Sequence, residues 1–174
     1  MKKIIPATRV IAGTIVSAIF SALVYSFLVY VEAYFLYENY EVQPSGKMKL
    51  DEWISNFNET ALLTTILAFI GVLFWYAASY FWYRISAWQR TDSFWVWLSI
   101  WALIVIALFV YGYYYTDKTD NLGRFFASCF YAFNGGLIYW LSTAIFSPST
   151  VKYAPLGSIR LRMALVGNRL LKRS

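Results

Sequence analysis

Two polar sites inside otherwise apolar segments are the first candidates for chemistry in this chain. Asn134 is followed by Gly135 and Gly136 near the middle of the last apolar segment, and Glu32 is a carboxylate inside the first. An amide in hydrocarbon needs a hydrogen-bond partner, because lipid tails offer none. Asn134 therefore predicts a bond between packed helices; the alternative is a pore lining or a hinge at the glycine pair.

Glu32 also has two interpretations. Acidic residues within membranes are often ion or proton sites. However, Glu32 lies towards the far end of the longest apolar segment, so we expect its carboxylate to reach the headgroups as an acid at the outer interface. The other three segments hold no charged residue, which argues against a proton relay, a voltage sensor or an ion-coupled transporter.

Catalytic side chains are scarce in this sequence. The chain has no histidine, and its one cysteine, Cys129, lies in the last apolar segment. Histidine is the usual ligand of zinc and the usual acid–base catalyst, so the chain lacks the side chain that both functions most often use. A disulfide within the chain is excluded, and there is no Gly-rich turn that would hold a phosphate. We therefore expect no enzymatic activity, no metal and no cofactor.

The composition indicates a membrane protein. Hydrophobic residues make up 60% of the 174 residues and charged residues 14%, against roughly 45–50% and 25% in soluble domains. Four apolar stretches contain at least 22 residues each, enough to cross a bilayer core of about 30 Å. The predicted spans are residues 10–37, 61–83, 94–115 and 125–146.

Short loops between these spans predict an all-α, up-down-up-down four-helix bundle over residues 1–147. The chain starts like a signal peptide, but the apolar run extends far beyond the about 7–15 residues of a signal sequence, so a retained anchor is expected. Apolar residues at helical spacing from Leu50 to Ala61 predict a short outer amphipathic helix. This helix lies on the surface or leads directly into the second span.

Basic residues are sorted between the two sides of the predicted membrane. One side carries eleven Lys and Arg and one acid, whereas the other carries four basic residues and seven acids. The positive-inside rule therefore places both termini in the cytoplasm. The net charge of +6 lies mainly on that side, so we expect anionic lipid headgroups rather than nucleic acid as its partner. The compact basic loops favour a bacterial inner membrane.

Small residues recur every four positions in two of the spans. Such ridges let helices approach closely, either inside the bundle or between copies of the chain, so they also indicate a homo-oligomer. The ridges are Ser128, Ala132 and Gly136 in the last span, and Gly13, Ser17 and Ser21 beside Ala18, Ala22 and Ser26 in the first.

The tail, residues 148–174, predicts a basic amphipathic helix after Ser158. One interpretation is a lipid-bound helix on an anionic surface. The other is a docking helix, which lays its apolar face into a groove of a cytosolic partner and contacts the rim through arginines. The residues concerned are Ile159, Arg160, Arg162, Met163, Val166, Arg169, Leu170 and Arg173.

These features predict a non-enzymatic subunit: an oligomeric anchor or sensor in the membrane that acts on a cytosolic protein through its tail. The alternatives are an immunity protein that binds a pore-forming bacteriocin within the bilayer, and a channel formed by oligomerisation around Asn134. A membrane enzyme is the most remote possibility.

Two known groups share features with this chain. The run Phe146-Ser147-Pro148 and the closing Leu170-Leu171-Lys172-Arg173 resemble the ends of the immunity proteins of some pore-forming colicins, which are small four-span proteins with both ends inside. The layout is also similar to that of the membrane component of the Kiwa anti-phage system, which implies an oligomer that works with a cytosolic effector in antiviral defence. Neither resemblance transfers a functional residue.

Overall fold

The computed structural model describes residues 7–39, 49–85, 90–116, 121–147, 151 and 154–166, and this part of the chain is almost entirely helical. A short π-helical segment follows the first helix, and the bundle ends in a short sixth helix. The elements are α1 Ala7–Phe27, the π segment Leu28–Glu32, α2 Ala33–Asn39, α3 Leu50–Ile85, α4 Arg90–Tyr115, α5 Asn121–Phe146 and α6 Ser158–Val166.

Four of these helical stretches are long and apolar enough to cross a membrane, which confirms the prediction of four spans. They are Val10–Asn39, Leu50–Ser79, Asp92–Tyr115 and Asn121–Phe146. The architecture is that of an all-helical, multi-pass membrane protein.

The predicted outer amphipathic helix is not a separate element. It forms the first part of α3, which is continuous from Leu50 to Ile85. No glycine or proline interrupts the chain between Leu50 and Ala61, and Trp53, Phe57 and Ala61 belong to one buried stripe that continues into the span. Of the two predicted arrangements, the helix that leads directly into the span is therefore the one observed, and a separate surface helix is wrong.

The helices α3 and α5 form the centre of the bundle. Each of them contacts both α1 and α4, and they also contact each other, whereas α1 and α4 do not touch within the described ranges. Of the most apolar 18-residue window of α5, 56% is buried inside the bundle, against 22% of the corresponding window of α4. A change in the packing of α1, α3 or α4 therefore alters contacts of α5.

The π segment changes which face of the first span looks inward. The amide of Ala33 donates to the carbonyl of Leu28, five residues earlier, instead of four as in an α-helix. This wide turn holds one extra residue, which turns the following helix by about 100° relative to an uninterrupted α-helix. As a result Leu28, Glu32, Ala33 and Leu36 all face the interior of the bundle.

Candidate functional site

The structure joins the two polar sites that the sequence showed separately. Asn134 Nδ2 donates to Glu32 Oε2 over 2.8 Å and to the Phe130 carbonyl over 2.9 Å. Glu32 is 9% exposed and Asn134 3% exposed. The π segment ends at Glu32 and turns its side chain towards the middle of α5. Its predicted position as an acid at the outer interface stays a prediction.

Side chains fill the space around the glycine pair. A Cβ atom at Gly135 would overlap the Leu108 side chain, and a Cβ at Gly136 would lie 3.0 Å from Val105 Cγ2. The two glycines thus allow α4 to lie close against α5. Asn134 faces another helix of its own chain, a geometry that fits the predicted packing role. The alternative of a pore lining stays a prediction.

The first small-residue ridge packs inside the bundle. Gly13 lies against Phe146, and a Cβ there would be 2.9 Å from the Phe146 Cβ. The Ser17 hydroxyl shares a hydrogen bond of 3.3 Å with the Tyr76 hydroxyl, and Ser21 Oγ donates to the Ser17 carbonyl over 2.8 Å. This ridge is therefore occupied by α3 and α5.

The ridge in α5 is also used within one chain. Ser128 is buried against Gly112 of α4, where a Cβ on the glycine would lie 3.2 Å from Ser128 Cα. Ala132 is buried as well. By contrast, Ala18, Ala22 and Ser26 of α1 are exposed on the outside of the bundle, so only this ridge is open to a second copy.

Buried tryptophans fix α5 to its neighbours near the end of the bundle that carries α6. Trp75 Nε1 of α3 donates to Ser147 Oγ over 2.8 Å, and Trp97 Nε1 of α4 donates to Thr143 Oγ1 over 2.9 Å. These pairs were not predicted from the sequence. The Ser and Thr residues at the end of the last span could have indicated them, because such side chains form hydrogen bonds between membrane helices.

Arg162 connects α6 to the last turn of α5. Its Nε donates to the Ala144 carbonyl over 2.7 Å and its Nη2 to the Ser147 carbonyl over 2.9 Å. Carbonyls in the last turn of a helix lack partners within the helix, and a cation there also complements the helix dipole. The guanidinium of Arg162 thus binds the chain's own backbone, and its predicted contact with a partner or lipid stays a prediction.

The other predicted docking residues have different surroundings. Arg160 is exposed, Met163 is 42% exposed and Ile159 is half-buried. Leu165, which was not predicted, is 60% exposed beside them. Val166 is the last residue of α6, whereas Arg169, Leu170 and Arg173 lie outside the described residues.

Two cavities lie elsewhere on the bundle. An apolar groove of about 550 Å³ runs between α4 and α5 and includes Trp101, Phe133 and Trp140. The indole N–H groups of both tryptophans donate to backbone carbonyls, so the groove presents hydrocarbon to its surroundings. A smaller cavity of about 110 Å³ lies at the end opposite α6, among α3, α4 and α5, with polar and aromatic side chains in its wall.

Among the described residues no group of three histidine, cysteine, aspartate or glutamate side chains is close enough to hold a metal ion. Cys129 is a free thiol and is partly buried. The chain matches no known protein family, no curated protein and no solved structure.

Proposed function

We propose that this chain is a non-enzymatic, oligomeric membrane subunit, an anchor or sensor that couples the bilayer to a cytosolic protein through its basic C-terminal helix. The observation that carries this proposal is the attachment of α6 to the end of α5 by Arg162. The helix that meets the partner is thereby connected to the helix that contacts every other span.

This connection gives a physical route from the membrane to the tail. A shift or rotation of α5 moves the carbonyls of Ala144 and Ser147, and the two hydrogen bonds of Arg162 move α6 with them. Arg160, Met163 and Leu165 lie on the exposed side of α6. A partner with an apolar groove and acidic residues at its rim fits these side chains.

The orientation and location are part of the same proposal. The excess of Lys and Arg on one side supports cytoplasmic termini and a bacterial inner membrane, where the basic tail also meets anionic lipid headgroups. A role in anti-phage defence rests on the resemblance to the Kiwa membrane component alone. The exposed ridge of Ala18, Ala22 and Ser26 is a surface on which two copies can pack closely.

The test is affinity purification of the full chain in mild detergent from its own cells. The proposal expects an oligomer with a soluble protein bound. The double variant Met163→Asp and Leu165→Asp should lose that protein, because carboxylates on the exposed face cannot enter an apolar groove. The matched control is Tyr114→Ser, a change of an exposed residue on α4, which should retain it.

Three results would contradict the proposal. They are a monomer, a soluble protein that the double variant still binds, and protection of cells from a pore-forming bacteriocin without any bound soluble protein, which would favour the immunity function. Reporter fusions at the C-terminus test the orientation separately: a fluorescent protein should be active there and alkaline phosphatase inactive.

A further inference from the structure

The smaller cavity lies where three helices meet at the end opposite α6. Trp53, Phe57 and Thr60 come from one face of α3, at spacings of four and three residues. The end of α4 and Thr116 just after it close the second side, and Tyr131 of α5 closes the third. The remaining lining residues are Asn56, Glu59, Tyr111, Tyr115, Thr116 and Tyr131.

Two hydroxyl groups in the wall of this cavity form no hydrogen bond of good geometry among the described residues, although the one on Tyr131 lies close to the other and to Thr60. They are the Tyr131 hydroxyl and Thr116 Oγ1. Tyr131 is fully buried and Thr116 is 7% exposed. A buried polar group without a partner costs about 1–3 kcal/mol, and native proteins satisfy nearly all such groups. A molecule inside the cavity would supply the missing partner.

The size of the cavity limits what that molecule is. A buried water needs about 10–15 Å³ of such volume, so the 110 Å³ available here holds a few waters or one small organic group. A folded peptide segment or a lipid tail is too large.

The charge of the wall favours a cation. Among the described residues Glu59 is the one charged residue in the lining, and no described lysine or arginine contributes to it. The two free hydroxyl groups have lone pairs that accept hydrogen bonds, as the Asn56 side-chain oxygen also does. Among these described residues an anion finds no positive partner, whereas an ammonium group finds a carboxylate and several acceptors for its three N–H groups.

The aromatic side chains strengthen that preference. The Phe57 and Tyr131 rings lie 4.9 Å apart, and the Tyr111 and Tyr115 rings are stacked at 4.3 Å. Trp53 Nε1 donates to the Ala33 carbonyl over 2.8 Å, which holds the indole in place. Aromatic faces attract ammonium ions, and tryptophan does so most strongly.

We propose that this cavity, lined by Trp53, Phe57, Glu59, Tyr115, Thr116 and Tyr131, binds the primary ammonium group of a small amine. The ammonium donates hydrogen bonds to the Tyr131 and Thr116 hydroxyls and pairs with the Glu59 carboxylate. Its carbon atoms contact the aromatic rings. The same group occurs in free amines and in the headgroup of phosphatidylethanolamine, so the chemistry is shared and the source is decided by experiment.

The first arm of the test uses the purified full chain in maltoside detergent and an amine-free phosphate buffer. Isothermal titration with ethanolamine should give saturable binding. Ethylene glycol replaces the ammonium by a hydroxyl at nearly the same size and should give none. Glu59→Gln removes the charge and should weaken binding about tenfold, the effect of losing one good charged contact. Glu52→Gln, at an exposed acid of α3 outside the cavity, should leave it unchanged.

The second arm places the protein in lipid nanodiscs of phosphatidylglycerol with or without phosphatidylethanolamine. Binding of the headgroup should raise the Tm of the wild-type chain and not that of Glu59→Gln. Tyr131→Phe separates a binding role from a structural one, since it removes a hydroxyl that makes no hydrogen bond of good geometry within the described chain. It should keep or raise the Tm without amine and lose most of the rise that the amine produces.

Binding of free ethanolamine identifies a soluble amine, and a response to the lipid alone identifies the headgroup; either supports the inference. It is overturned if ethylene glycol binds as well as ethanolamine, if neither arm responds, or if Glu59→Gln and Tyr131→Phe leave the responses unchanged. Both arms use the chain without a cytosolic partner, so their outcome is independent of the proposed function.

Discussion

Asn134 and Glu32 form a hydrogen bond of 2.8 Å across the interface of the first and last spans, although 102 positions separate them in the sequence. Both side chains are buried. Loss of Asn134 takes from the Glu32 carboxylate its donor in α5, whereas loss of Glu32 leaves Asn134 only its bond to the Phe130 carbonyl. The pair therefore acts as a specific link between the π segment of the first span and α5.

The first prediction concerns this link. Asn134→Leu should lower the free energy of unfolding by about 1–3 kcal/mol, because Glu32 loses its donor between helices. The double variant with Glu32→Leu should recover part of that loss, since no polar group is then left unpaired. Unfolding in mixed detergent micelles measures both values. Ser26→Ala, at an exposed serine that bonds its own helix, is the control, and an Asn134→Leu variant as stable as this control would contradict the prediction.

The second prediction concerns the connection of α6 to α5. Arg162→Gln should release α6 and speed hydrogen exchange in residues 158–166, because the two hydrogen bonds to the Ala144 and Ser147 carbonyls are lost. Since Arg162 is only half-buried, we expect an effect of about 1 kcal/mol, or roughly fivefold in exchange rate. Arg160→Gln, at the exposed arginine, should leave the exchange of α6 unchanged. Equal rates in the two variants would refute the role assigned to Arg162.

The third prediction tests the π segment. Deletion of Tyr30, which is 74% exposed, removes one residue from the turn closed by Leu28 and Ala33. The bond between these two residues then spans four positions, as in an α-helix, and the helices on either side keep their orientation. Deletion of the exposed Leu23 instead turns everything after it by about 100° relative to the residues before it. We therefore expect the Tyr30 deletion to remain folded, with a Tm close to wild type, and the Leu23 deletion to lose the bond of Glu32 to Asn134. A Tyr30 deletion as damaging as the Leu23 deletion would count against this interpretation.

The fourth prediction compares two glycines at the interface of α4 and α5. A Cβ at Gly112 would lie 2.6 Å from Tyr131 Cδ2 and 3.2 Å from Ser128 Cα, so a side chain and the backbone would both have to move. At Gly135 the obstacle is the end of the flexible Leu108 side chain. Gly112→Ala should therefore cost about 1–3 kcal/mol of stability, and Gly135→Ala clearly less. Thermal unfolding in detergent gives the order, and a larger loss for Gly135→Ala would show that Leu108 is held rigidly.

Much of the fold was predictable because the signals are local. The length and composition of each apolar stretch require a helix that crosses the membrane, since backbone groups in lipid must bond within their own segment. The small residues Gly13, Ser17 and Gly136 likewise predicted close helix contacts. The continuous helix α3 was one of two predicted arrangements, and the stripe of Trp53, Phe57 and Ala61 decided between them.

The candidate sites depend on information that is not local. The sequence by itself determined that Glu32 and Asn134 lie in apolar segments, that Arg162 lies in a basic tail, and that Tyr131 lies in a span. Only the tertiary structure decided that the first two meet, that Arg162 binds the end of α5, and that Tyr131 and Thr116 line one cavity. The physical reason is that the composition of a span fixes its length but leaves its rotation about the axis open. That rotation, set here by one wide turn before Ala33 and by packing against α3 and α5, determines which polar groups come together.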